Sequence, residues 1–284
     1  MAAPASAADS ALDAAKRLRG WLAQAAKAMQ PSSRGVTDAA VSTLEELRLD
    51  LSREGDLKPM SVAGVPHVRQ RHEWDCGLAC ALMVLNDDAA DACANQEATD
   101  AAPQPVTWGD VRSICCTESV WTIDIYFLLV ACGTRCAFLT STLGCDPSYS
   151  DLSFYEKELS GDEIRVQRLF DAAAKDSELR VRRATVPRQV LVDLLIQGIT
   201  IIALVDLRLL RPSSVAYIWP STYMGHYVVL HGIDADCSTV HYHDPAAPAA
   251  ALAVPLSVLE AARKARGTDE DLLFIDRRFR KRPT

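Results

Sequence analysis

Cys76 stands in the stretch RQRHEWDCGLACALMVL (residues 69–85), after a polar, irregular approach and just ahead of an apolar run. A cysteine used as a nucleophile needs a stabilised thiolate, a base to take its proton, and donors for the oxyanion formed on attack. If LACALMVL is a helix, Cys76 lies at its N-terminus, where the partial positive charge of a helix favours a thiolate. Gln70 lies six residues upstream, within side-chain range to act as an oxyanion donor. His226 is the candidate base and Asp244 the group that holds its imidazole. They come together because HYVVLHGI (226–233) and TVHYHD (239–244) flank DADCS, which is composed for a tight reversal and predicts a β-hairpin. That hairpin sets position 226 against positions 244–246, with side chains roughly 5–8 Å apart.

The same residue types also bind metals and fill cores. Cys76 and Cys80 are four residues apart, as are Cys132 and Cys136, and His241 alternates with His243. Neither cysteine pair has zinc-knuckle spacing and no four-ligand set is evident, so no metal site is expected. The remaining eight cysteines read as packing or redox bystanders. The acids Asp87, Asp88, Asp110, Asp124 and Asp146 read as caps, turns or solvated faces rather than magnesium ligands. From the residues alone, the expected activity is a cofactor-free thiol-dependent hydrolase or acyl transferase acting on a peptide, isopeptide or related amide in a protein substrate. A non-catalytic binding module is the other reading of the same residues, and the presence of all four candidates counts against it.

These side chains need a scaffold. Helical patterning covers 74–86, 121–132, 161–175 and 187–197, and ITIIALVDL (199–207) is β-branched and apolar throughout, as in a strand covered on both faces. With the hairpin, this gives an α+β class in which the Cys76 helix packs on an antiparallel sheet. Two amphipathic helices, near 10–30 and from Thr37 to Leu51, form an N-terminal extension over residues 1–60, set off by SREGDLKP (52–59). Residues 61–284 then make the main domain. Segments 87–106 and 208–224 read as loops able to carry specificity.

The chain of 284 residues has a net charge of −7 and 49% hydrophobic residues. It has no basic field to attract a phosphate backbone, so nucleic acid is not an expected partner. Its apolar runs fall well short of the roughly 20 residues a membrane span requires. Nine cysteines without a secretory pattern predict reduced thiols in the cytoplasm or nucleus, with an organelle transit peptide as the alternative.

QRHEWDCGLAC, then GHYVVLHG, then HDP, resemble the papain-like fold in its peptidase C39-like form, which implies a Gln–Cys–His–Asp set at Gln70, Cys76, His226 and Asp244. The chain also resembles the guanylyl cyclase domain-containing family. The shared stretches are VPHVRQRHEWDCGLACALMVL, SVWTIDIYFLL, TSTLGCDPSYSDLSFY, VQRLF, MGHYVVLHGID and GTDEDLLFI. This second resemblance implies conversion of GTP to cyclic GMP, with magnesium or manganese accompanying the GTP. No G-x-x-x-x-G-K loop or comparable glycine-rich phosphate turn is present to cradle a triphosphate.

Overall fold

The computed structural model describes residues 64–87, 105–146, 148–149, 159–196, 198–211 and 223–275. The expected extension before residue 60 and most of the two expected loops lie outside these residues. The chain order is α1 (Cys76–Leu85), α2 (Trp108–Ile114), α3 (Thr122–Ala131), β1 (Cys136–Thr140), α4 (Leu159–Lys175), β2 (Val181–Arg183) and α5 (Arg188–Ile196). Then follow β3 (Thr200–Asp206), α6 (Leu207–Leu210), β4 (Gly225–Ile233), β5 (Thr239–His243), β6 (Leu252–Pro255), α7 (Leu256–Arg263) and β7 (Leu272–Ile275). The class is α+β, around one seven-stranded sheet ordered β2-β1-β7-β3-β4-β5-β6. The β1–β2 pair is parallel and the other five pairs are antiparallel.

Both faces of the sheet are covered, which explains the unbroken apolar run of β3. Ile202 and Leu204 face the core shared with α1, α3 and α4, while Ile201, Ala203 and Val205 face the core shared with α5 and α7. Helix α1, CGLACALMVL, is apolar on every side, and all its residues are buried. A helix of that composition has to be interior, and α1 runs along β4. Gly77 permits the approach, since a Cβ there would stand 2.5 Å from Ile125 Cδ1. Among the described residues, no helix is long and apolar enough to cross a membrane.

The four helices read from patterning are present with ends shifted by a residue or two. Strands β1, β2, β6 and β7 and helices α2, α6 and α7 were not foreseen, and α6 takes up the start of the loop expected at 208–224. Each of those strands has five residues or fewer. The β4–β5 hairpin forms as expected, with a register shift between Leu230 and Gly232. Carried three residues beyond the Val229–His243 pair, its register sets position 226 opposite 246, the far end of the expected range.

Candidate active site

The structure brings Cys76, His226 and Asp244 into contact. Cys76 is the first residue of α1, no side chain caps that helix, and its sulfur is hydrogen-bonded to the His226 ring. His226, near the start of β4, uses Nε2 to meet Asp244 Oδ1 at 2.7 Å, just past the end of β5. All three are buried, Asp244 completely. The adjacent-strand distance expected from the hairpin thus closes to a direct hydrogen bond, with Asp244 one residue past the end of the ladder.

Asp244 is saturated. Besides His226, its Oδ1 accepts from the Ala246 N–H at 2.8 Å, and its Oδ2 takes Arg211 Nη1 at 2.7 Å. Burial on its own would raise the Asp244 pKa, but the hydrogen bond and charge of His226, then Arg211 and the Ala246 N–H, outweigh it and bring the carboxyl down to about 2. His226 shows the mirror image. Burial on its own would strip its proton, but the charge of the Cys76 sulfur and the hydrogen bond to Asp244 raise its pKa to about 10. The imidazole therefore holds its proton between the Cys76 sulfur and Asp244.

The approach to Cys76 is pinned to this cluster. Asp75 Oδ1 accepts from the N–H groups of both Arg71 and His72 at 3.0 Å. His67 Nε2 meets the Asp244 carbonyl at 2.9 Å, and the Gln70 N–H donates to the Pro245 carbonyl at 3.0 Å. Gln70 thus belongs to the cluster through its backbone. Its side chain differs from the expectation of an oxyanion donor: the amide nitrogen donates to the His72 carbonyl at 2.8 Å, and Oε1 is buried without a partner. Sequence reasoning missed Arg211, Asp75 and His67. Only Asp75, next to the cysteine, carried a local signal.

The chain matches the family model described as guanylylate cyclase over residues 65–275. It is also 37% identical over 232 residues to Guanylyl cyclase 1 of Arabidopsis thaliana, covering 79% of this chain and 80% of that protein. The chain belongs to this guanylyl cyclase family. That membership overturns the expected thiol hydrolase or acyl transferase acting on peptides, because both matches are to guanylyl cyclases and neither is to a peptidase. The expectation went astray because a Cys–His–Asp contact fixes where a proton can move and leaves the reacting bond open.

A guanylyl cyclase of this family is expected to handle GTP with a divalent ion, and the Cys76 cluster does not fit one. Both oxygens of Asp244 are committed, and among the described residues no group of three or more His, Cys, Asp or Glu could hold a metal. Three of the acids noted in the sequence are occupied too. Asp110 caps α2 through Thr107, Asp124 accepts from the Trp121 N–H and pairs with Arg165, and Asp146 closes a turn on Ser148. Asp87 is buried after α1. Asp88 lies outside the described residues.

Proposed function

We propose that this chain is a guanylyl cyclase that converts GTP to cyclic GMP and pyrophosphate. The observation that carries this reading is the 37% identity to Guanylyl cyclase 1 over 232 residues. In the reaction the ribose 3′-oxygen forms a bond to the α-phosphorus, the bond from that phosphorus to the bridging oxygen breaks, and pyrophosphate leaves. The 3′-hydroxyl proton needs an acceptor, and the Cys76–His226 pair, poised by Asp244, is our candidate for it. The positive end of α1 and the imidazolium are placed to offset negative charge developing on the phosphates. Gln70 is assigned a positioning role, with its orphaned Oε1 free to accept from a substrate hydroxyl or amine. We also propose that residues 61–284 form one domain and that α1 packed on this sheet is a papain-like scaffold of the peptidase C39-like form. Superposition of an experimental structure on that fold checks the latter.

The test is cyclic GMP formation from GTP by the purified full chain with magnesium or manganese. His226→Ala is expected to lower kcat by about 10²- to 10⁴-fold, the usual range for a proton-transfer group. Absence of cyclic GMP with either ion removes the cyclase reading. Activity unchanged in His226→Ala keeps that reading and removes this site from it.

A further inference from the structure

Four of the chain's six histidines meet where the β4–β5 hairpin packs on the segment leading to Cys76. The ring of His243, at the end of β5, lies 4.3 Å from that of His231 and 5.6 Å from that of His67, and His231 lies 6.4 Å from His241. His243 is 5% exposed, and both of its ring nitrogens are engaged. Nε2 is 2.9 Å from the Val65 carbonyl, and Nδ1 accepts from the Ala251 N–H at 3.0 Å. A carbonyl can only accept, so Nε2 carries the hydrogen, and Nδ1 must be bare to take one from Ala251. The neutral Nε2–H tautomer is the one form of the ring that satisfies both partners. The bond to Ala251 restrains a strained residue, whose φ of 55° lies in the left-handed region that a residue with a Cβ seldom adopts. Ala251 leads directly into β6, which pairs with β5 alone and forms one edge of the sheet.

We propose that His243 is a proton-operated latch: when neutral it fastens the segment 244–251 and the edge strand β6, and when protonated it lets both open. A second proton would sit on Nδ1 and point at the Ala251 N–H, setting donor against donor in a buried place. The bond from Nε2 to Val65 survives that proton, so the break falls on the Ala251 side. The groups facing His243 supply no counter-ion. His231 on β4, His67 before Cys76 and, behind His231, His241 on β5 all take the same sign in acid. The nearby carboxylates are committed, Asp244 to His226, Arg211 and the Ala246 N–H, and Asp234 to His241 at 2.6 Å. Burial pulls the His243 pKa below its ordinary 6.5, with the Val65 carbonyl acting the other way and the charge of His67 adding to the fall. A base whose folded value is depressed withdraws stability as pH falls below its unfolded value, so the latch is closed at neutrality and opens in acid. The segment it fastens carries the Ala246 N–H on Asp244 Oδ1 and the Ala247 N–H on the Asp244 carbonyl. Opening it therefore loosens Asp244, and with it the grip on His226.

The latch stands whether or not GTP is the substrate, so its test reads the segment and no product. Hydrogen–deuterium exchange of the full chain, each rate taken relative to its unstructured value at the same pH, is expected to show 244–255 losing protection at least tenfold from pH 7 to pH 5 while β3 keeps its own. His243→Gln offers one donor and one acceptor but takes up no proton, and is expected to keep 244–255 protected at both pH values. If that variant fails to fold, the ring-nitrogen resonances of His243 in the wild-type protein decide, with a neutral Nε2–H ring expected at pH 7 that charges in step with the loss of protection. Equal protection of the wild type at the two pH values, a loss shared equally by β3, or the same loss in a folded His243→Gln would each overturn the proposal. So would a His243 ring that is charged, or carries its hydrogen on Nδ1, at pH 7.

Discussion

Asp244 is held from four directions: by His226 and the Ala246 N–H on Oδ1, by Arg211 on Oδ2, and by His67 on its carbonyl. Its carboxyl, depressed to about 2, favours the folded state at every pH above the ordinary value of 3.8. That contribution fades as pH falls through about 2. Asp244→Asn should therefore cost about 2 kcal/mol near neutrality, and the gap from wild type should narrow between roughly pH 4 and pH 2. Urea melts of both proteins across that range check it, and a gap independent of pH would mean that the loss comes from packing instead. At this scale the sequence was readable for Cys76, His226 and Asp244, because a helix start and a hairpin are local patterns. Arg211 was not readable, since it reaches Asp244 across 33 residues and follows a short helix with no pattern of its own. Gln70 was half readable: chain distance placed its backbone, but the direction of its amide depends on the turn that Asp75 imposes on Arg71 and His72.

Helix α1 lies against the sheet with no slack at Gly77. A methyl group there would stand 2.5 Å from Ile125 Cδ1 and 3.1 Å from Tyr227 Cδ2, so either α3 or the tyrosine would have to move. Gly77→Ala is expected to destabilise the fold by about 1–3 kcal/mol, despite the better helix propensity of alanine. The comparison is an equilibrium denaturant melt, and a more stable variant would show that the contact relaxes freely. Elements were legible where a pattern ran long. The β3 run and the four helices each gave enough residues to set a period. The strands CAFLT, VRR, LAVP and LLFI did not, because a short apolar run suits a strand, a helix turn or a loop tucked into the core, and VRR has only one apolar residue to show. What makes them strands is the sheet edge already in place beside each, and that is tertiary information.

Across the whole molecule, the helical layer is tied together by one guanidinium. Arg165 on α4 pairs with Asp124 at the head of α3, takes Asp162 one turn earlier at 3.1 Å, and donates to the Ser119 carbonyl at 3.0 Å. Trp121 Nε1 closes the network on Asp162 at 3.0 Å. Burial lifts the Asp124 carboxyl to about 6 in spite of Arg165. Arg165→Met removes the opposing charge and is expected to cost about 2 kcal/mol at neutral pH, on the scale of a broken, partly buried pair. A carboxyl whose folded value is raised takes stability away as pH climbs from 3.8 through that value, and losing Arg165 raises that value further, so the deficit of the variant relative to wild type should deepen only above about pH 6. Thermal melts at pH 4.5 and 7.5 check this, and a deficit no larger at 7.5 would release Asp124 from the role.

The strand order carries a consequence for how the chain emerges from a ribosome. β7, at residues 272–275, is the last strand in sequence yet lies between β1 and β3, bonded to both. Until it emerges, β1 and β2 can form only an isolated parallel pair, and β3 to β6 a separate meander whose first strand has an open edge. Cys76, His226 and Asp244 are all synthesised well before that point, but the sheet that aligns their helix and hairpin closes only when residue 275 has left the exit tunnel. Loss of even a short C-terminal piece from a nascent chain would remove the middle of the sheet rather than fray its margin.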